Sequence, residues 1–265
     1  MGVDAAFPHL CRQWRSTRNL SQLALASSAG ISQRHLSWLE TGRSNPSREM
    51  VLRLAEALDV PLRERNHLLE AAGFSSQYRE SPLTDPHMVP IRAALQKVLD
   101  HHDPFPALVV DRKWRRIMGN RGSDLILSLA GAPAHEEGAE PFNLATATLA
   151  EDGLRRFIRN ADEAIPLFVQ RLRTEAQAAG DPAGIAYVEA LIRSASVADA
   201  PKAVAEPLLP VLPLELSIDG LDLSMFTVIS TFGTPQDVTT DELRVEAFYP
   251  ADDSTRRFFE GGVEG

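Results

Sequence analysis

Gln33, Arg34, His35, Ser37 and Trp38 fall within six consecutive positions of this chain, and most of them offer hydrogen-bond donors. The apolar residues Leu36 and Leu39 are interleaved with them at helical spacing, so the polar set shares the open face of one short helix. Donors presented near the N-terminus of an exposed helix are suited to the base edges of a DNA major groove. Such a helix reads DNA only when a second helix braces it across the backbone. That geometry needs a small residue where the two helices approach, a turn-former between them and apolar packing residues after the turn. Ala26, Gly30, Ile31, Leu36 and Leu39 supply these in order.

The surrounding elements follow from capping signals and periodicity. Leu10 and Trp14 sit four apart on a first helix. Ser21 is a suitable N-cap for the bracing helix, which buries Leu25, Ala26 and Ala29, and Ser32 is the cap of the reading helix, which ends at Gly42. Pro46-Ser47 open a fourth helix with Val51, Leu54, Ala55 and Leu58 inward. Pro61 opens a fifth, carrying Leu68, Leu69 and Ala72 before Gly73. The spacing therefore predicts an all-α bundle of five short helices within residues 1–75.

Residues 76–90 are polar and broken by prolines, which marks a linker. A second domain over 91–265 opens with a helix near 91–101 and then changes period. Phe105–Asp111 (FPALVVD) and Lys113–Asn120 (KWRRIMGN) read as two strands joined by a tight turn at Asp111-Arg112. Helical patterns fill most of 122–198, with breaks at 131–141 and 180–184. Three further strands, LPLELSI, LSMFTVISTF and ELRVEAFYP, precede a short helix around Ser254–Glu260. The chain is thus multidomain: an all-α bundle, then an α+β domain on a five-stranded antiparallel sheet. Its inward face is expected to present Phe105, Leu108 and Val110, with Phe226, Val228 and Phe248 opposite. Phe157, Phe168 and Leu172 are expected to form a helical lid. Taken singly, each of these reads first as ordinary core. Arg244, between apolar neighbours, is either an anchor for a carboxylate or an exposed strand residue.

Composition narrows the function classes. The chain has 265 residues, 44% of them hydrophobic and 24% charged, the proportions of a globular protein with a real core. No apolar run is long enough to span a membrane, and the first residues lack the apolar segment of a secretory signal. One cysteine, Cys11, rules out an internal disulfide framework and points to a reducing compartment, the cytoplasm. Net charge is −9, yet residues 9–53 carry seven Arg against only Glu40 and Glu49. A basic head on an acidic body is the electrostatic layout of a nucleic-acid reader with a separate module.

With these residues in view, SQLALASSAGISQRHLSWLETGRSNPS and its flanking helices, about residues 9–72, resemble the Xre/Cro-type helix-turn-helix of bacterial regulators. The resemblance implies that Gln22 meets a phosphate and that Gln33 and Arg34 read bases. Glutamine pairs with adenine N6/N7 and arginine with guanine O6/N7, each contact giving about 1–3 kcal/mol of discrimination. Trp38 falls at a third reading position that is usually polar; an indole packs on a thymine methyl or a sugar but makes no bidentate base contact. Arg43 and Asn45 match phosphate contacts, which position without specifying. The candidate DNA-binding set is Gln22, Ser32, Gln33, Arg34, Ser37, Trp38, Arg43 and Asn45. Arg15 and Glu40 resemble the family's internal ion pair, while Arg48 and Arg53 read as solvated helix charges. FPALVVDRKWRRIMGN and TFGTPQDVTTDELRVEAFYPADDST resemble regulators with a C-terminal MmyB-like ligand-binding domain. That resemblance implies a PAS-like fold that holds an apolar small molecule, fatty acids among the candidates.

Catalysis finds no residue set. His101-His102-Asp103 are consecutive and cannot converge on a metal as His at i and i+4 would; His135-Glu136-Glu137 lacks the second His of the zinc-hydrolase pattern. No GxSxG, GxxxxGK[ST] or GxGxxG occurs. No cofactor and no metal are expected. The expected function is a transcription regulator that binds double-stranded operator DNA as a homodimer, because one short helix reads only a few base pairs. The alternative is an antitoxin-like or scaffold DNA-binding protein whose second domain binds a protein partner.

Overall fold

The computed structural model describes residues 6–132, 141–197 and 211–261. The chain divides into two compact units. One holds the described residues up to Glu80 together with Ala176–Ile185 and Pro235–Asp241; the other holds the remaining described residues.

In the first unit, α1 (Ala6–Thr17) buries Phe7, Cys11 and Trp14, one residue per turn. Helices α2 (Gln22–Ser28), α3 (Gln33–Glu40) and α4 (Arg48–Ala57) share one starting device. The hydroxyls of Ser21, Ser32 and Ser47 accept hydrogen bonds from the backbone N–H groups of Ala24, His35 and Met50 at 3.1, 3.1 and 3.2 Å. Each satisfies a donor that the first helical turn leaves unpaired. Gly30, between α2 and α3, has φ +63°, a left-handed conformation that costs a residue with a Cβ much more. Helix α5 (Leu62–Ala71) starts at Pro61, where the missing N–H is no loss. Leu25, Leu36, Leu39, Leu54, Leu58 and Leu69 pack these helices around one core, each essentially without solvent exposure.

In the second unit, α6 (Val89–His102) follows a short 3-10 turn at Pro86–Met88. Strands β1 (Ala107–Val110) and β2 (Arg116–Gly119) pair antiparallel. Their connection is wider than the tight turn expected at Asp111-Arg112. The Asp111 carboxylate accepts from the N–H groups of Lys113 and Arg115, both at 2.9 Å, and Trp114 sits at φ +63°. A buried indole in the left-handed region is rare and persists only where its surroundings hold it. Helices α7 (Arg121–Leu129), α8 (Leu144–Leu149), α9 (Ala161–Ala179) and α10 (Pro182–Ser194) follow. Then come β3 (Leu214–Ile218), β4 (Leu221–Thr231), α11 (Val238–Glu242), β5 (Arg244–Pro250) and α12 (Asp253–Gly261); of these helices, the end of α9 from Ala176, α10 up to Ile185 and α11 up to Asp241 belong to the first unit.

The five strands form one antiparallel sheet in the order β2-β1-β5-β4-β3. Register assigns its faces. Leu108 pairs with Glu246 and Thr227 with Phe248, which puts these four side chains on one face. Val109 pairs with Val245, and Ala107 with Ala247, on the other. There they meet Leu95 and Leu99 of α6 in a second core. Among the described residues no helix is long and apolar enough to cross a membrane.

Candidate DNA-reading face and ligand cavity

Gln33, Arg34, Ser37 and Trp38 occupy positions i, i+1, i+4 and i+5 of α3, opposite the buried Leu36, Leu39 and Glu40. Gln33, Arg34, Arg43 and Asn45 are exposed, and Ser37 is half-buried. Ser32 lies just before them with its oxygen engaged in the helix cap. Arg34 and Trp38 meet each other: the guanidinium carbon lies 4.6 Å from the centre of the indole. The carbonyl of Trp38 accepts from the N–H of Arg43 at 2.9 Å, which fixes the loop after the helix.

Below this face the polar groups are structural. The Glu40 side chain is 1% exposed and receives Arg15 Nε and Nη2 at 2.6 and 3.0 Å. Gln22 also turns inward: its side-chain N–H donates to Glu40 at 2.8 Å, so this half of the amide is committed to the scaffold. Burial works against ionising Glu40, but hydrogen bonds from Arg15 and Gln22 more than offset it and hold the carboxyl below the usual carboxylate range. Burial pushes the Cys11 thiol up from 9.0 to about 12, with the Glu40 charge adding to the effect, so Cys11 packs as a small apolar residue. Arg53 pairs with the exposed Glu49 at 3.2 Å, as a solvated helix charge does. Arg48 departs from that expectation, since it donates to the carbonyl of Ser75 at 2.8 Å and ties down the segment after α5.

In the second unit a cavity of about 300 Å3 lies against the Leu108 face of the sheet. Leu108, Met225, Thr227 and Phe248 form its floor. Leu214, Leu216 and Ile218 continue it along β3, and Ala164, Ile165, Phe168 and Arg171 of α9 close it from above. Ile126, Leu127, Leu144, Leu154 and Phe157 complete the wall. Of the eight residues expected at a pocket, the structure brings Leu108, Phe157, Phe168 and Phe248 together. The other four stand elsewhere. Phe226 pairs with Tyr249 and Val228 with Ala247 on the opposite face of the sheet; Phe226 stacks on Tyr249 and Val228 is exposed. Phe105 precedes β1 and packs edge-on against His102 and Phe259, and Leu172 is ordinary core.

One polar cluster adjoins this apolar wall. Both Glu246 oxygens accept from Arg171, through Nη2 and, at 3.0 Å, Nη1; Arg171 Nε reaches Glu175 at 2.8 Å. Burial lowers the affinity of Arg171 for its proton, but the hydrogen bonds and charges of Glu246 and Glu175 more than offset this and hold its pKa above the ordinary arginine value. Arg244 pairs with Glu175 at 2.8 Å and is not part of the cavity wall, so its charge is met inside the protein and the carboxylate-anchor reading fails on geometry. Burial pulls its pKa down. Arg171 and Arg244 both lie over Trp114, at 4.6 and 4.4 Å from the ring centre, and Trp114 meets Phe168 edge-on at 5.0 Å. Sequence reasoning missed Trp114, Arg171 and Glu246. The available signal was Glu246 itself, an acid flanked by Val245 and Ala247 inside a mostly apolar strand, which burial would force to find a cation.

Among the described residues no group of three or more His, Cys, Asp or Glu is gathered to hold a metal. His101 and His102 hydrogen-bond separately, to the carbonyls of Lys97 and Phe248. His135, Glu136 and Glu137 lie outside the described residues.

Residues 91–260 match the MmyB-like transcription regulator ligand binding domain, and residues 9–68 match a helix-turn-helix domain. The first match covers more than half of the chain, and the protein belongs to that family: it is a DNA-binding helix-turn-helix transcription regulator with an MmyB-like ligand-binding domain. Two solved structures resemble part of it. The restriction-modification controller protein C.AhdI from Aeromonas hydrophila is 34% identical over 23% of this chain and 94% of that one, with a TM-score of 0.23. The clp gene regulator ClgR from C. glutamicum is 29% identical over 28% of this chain and 92% of that one, with a TM-score of 0.25. No curated protein matches the chain.

Proposed function

We propose that this regulator binds a specific double-stranded operator as a homodimer through its N-terminal bundle, residues 1–75. Its domain over 91–265 holds an apolar small molecule and adjusts that binding. Gln33 and Arg34 read bases; Arg43 and Asn45 contact phosphates, with Gln22 contributing through whatever its amide can offer beyond Glu40. The observation that carries the ligand half is the cavity: about 300 Å3, walled by α9 and the Leu108 face of the sheet, with predominantly aliphatic and aromatic lining. That volume lies at the lower end of small-molecule sites, and an apolar wall with few polar groups suits a flexible hydrocarbon chain. Long-chain lipids, fatty acids among them, are the ligand class this supports.

The test is direct. Protein purified without added lipid is denatured and extracted with organic solvent, and the extract is analysed by mass spectrometry. One compound of this class near one per chain is the expected result. The Phe168→Ala variant should recover the same compound at lower occupancy, because Phe168 is part of the cavity wall. If the extract is empty and titrated long-chain lipids leave the melting temperature unchanged, the ligand reading is wrong.

A further inference from the structure

Trp38 stands one turn beyond Arg34 on α3, where a third base-reading side chain belongs, yet an indole has one N–H donor and no acceptor in its plane. The contact between the two residues gives it a different task. The Arg34 guanidinium lies over the Trp38 ring at 4.6 Å, at i and i+4, the spacing that lets two side chains on one helical face meet. We propose that Trp38 is a positioning residue: its indole holds the Arg34 guanidinium flat, so that the fork of N–H donors meets one guanine without first being ordered. The inference rests on reading Arg34 as a base contact.

Three observations support it. A guanidinium stacked on an aromatic face spends its π surface on the contact and keeps its five in-plane N–H donors for other partners. No hydrogen bond or ion pair to a described residue draws those donors away, and Arg34 is exposed. The platform itself is anchored. The Trp38 carbonyl receives Arg43 N–H at 2.9 Å, Ser44 N–H at 3.3 Å and the Thr41 hydroxyl at 3.3 Å, while neighbouring Leu39 is fully buried. Trp38 is 38% exposed, so a substantial part of the ring is already covered in the free protein. A free arginine loses rotamer freedom when it docks; one already stacked has lost part of it before DNA arrives. The consequence is specificity at a base that Trp38 does not itself read.

Operator selected from random duplexes by the full-length protein provides the test DNA. Guanine is replaced by 7-deazaguanine, which lacks the N7 acceptor, at one position at a time. Arg34→Ala should abolish the deaza penalty at a single guanine and so identify the base that Arg34 reads. Trp38→Leu should shrink the penalty at that same guanine by about fivefold, the factor expected for losing one exposed cation–π contact. Trp38→Tyr should restore most of it. A Trp38→Leu protein with the full penalty at the Arg34 guanine overturns the inference, whether the loss moves to a thymine or to all sequences alike. If Arg34→Ala leaves every deaza penalty intact, Arg34 is no base reader. That result removes the reading on which the inference stands, and it is separable from the first.

Discussion

Glu40 shows how one residue links the core to the proposed reading face. It is the last residue of α3, its side chain is 1% exposed, and three groups converge on it: two nitrogens of Arg15, the amide of Gln22 and, on its carbonyl, Arg12 Nη2 at 2.6 Å. A buried carboxylate is tolerated only with such partners, and removing one leaves an uncompensated charge. Arg15→Ala should therefore destabilise the first unit by about 3 kcal/mol, measured by urea unfolding followed through the ellipticity of the helices. Glu40→Gln with Arg15→Met, which removes both charges, should recover part of that loss. Because the Glu40 carboxyl is held below its ordinary range in the fold, the unfolded chain takes up its proton first as pH falls. The stability from this group is thus complete above the ordinary carboxylate range and is lost as pH drops below that range towards the lowered pKa of the folded state. In the Arg15→Ala protein the acid-side slope should flatten; an unchanged slope would mean that another group controls it.

At the scale of elements, Asn120 binds several pieces of the second unit together. Its side-chain oxygen accepts from the N–H of Ala107 at 2.9 Å and of Ser123 at 3.0 Å; its amide donates to the carbonyls of Phe105 at 2.8 Å and Leu99 at 3.3 Å. One buried side chain thereby joins the end of α6, the start of β1 and the cap of α7. Asn120→Leu removes all four bonds and leaves buried backbone groups unpaired, at about 1–3 kcal/mol for each that water cannot reach. A fall of several degrees in melting temperature is expected, with a larger loss than for Asn143→Leu at the more exposed cap of α8. Equal losses would show that capping alone, common to both, sets the cost. The sequence made such caps legible: Ser21, Ser32 and Ser47 were readable from residue type and spacing, because a cap is a local device. The sheet was legible as five strands but not as two faces. Leu108, Phe226, Val228 and Phe248 are alternately spaced within their strands, and only the pairing register reveals that the β4 pair faces away from the other two. Slipping one strand by a single residue exchanges its faces, so no pattern within one strand settles which residues meet a cavity. The ion cluster beside Trp114 was hidden because its two halves are far apart in sequence: Arg171 and Glu175 come from α9, Arg244 and Glu246 from β5.

For the whole molecule, the length of α3 sets the requirement. On the proposed reading, the eight residues of α3 would enter one groove and read only a few base pairs, so useful specificity would need two copies on half-sites about 34–36 Å apart. Any influence of the cavity's ligand on the operator is then a coupling free energy, and it must be reciprocal. If the compound changes operator affinity by some factor, operator must change affinity for the compound by the same factor. Coupling that works through the geometry of a dimer has a further signature. It should alter binding to an operator with two half-sites by about 5-fold to 150-fold and leave binding to one half-site nearly untouched, because a single bundle has no partner spacing to satisfy. Equilibrium binding to both duplexes, with and without any compound recovered by extraction, measures the first factor; titration of that compound with and without the long operator measures the second. Equal change on both duplexes would place the effect within one bundle and reject the dimer mechanism. No change on either would separate the cavity from DNA binding altogether.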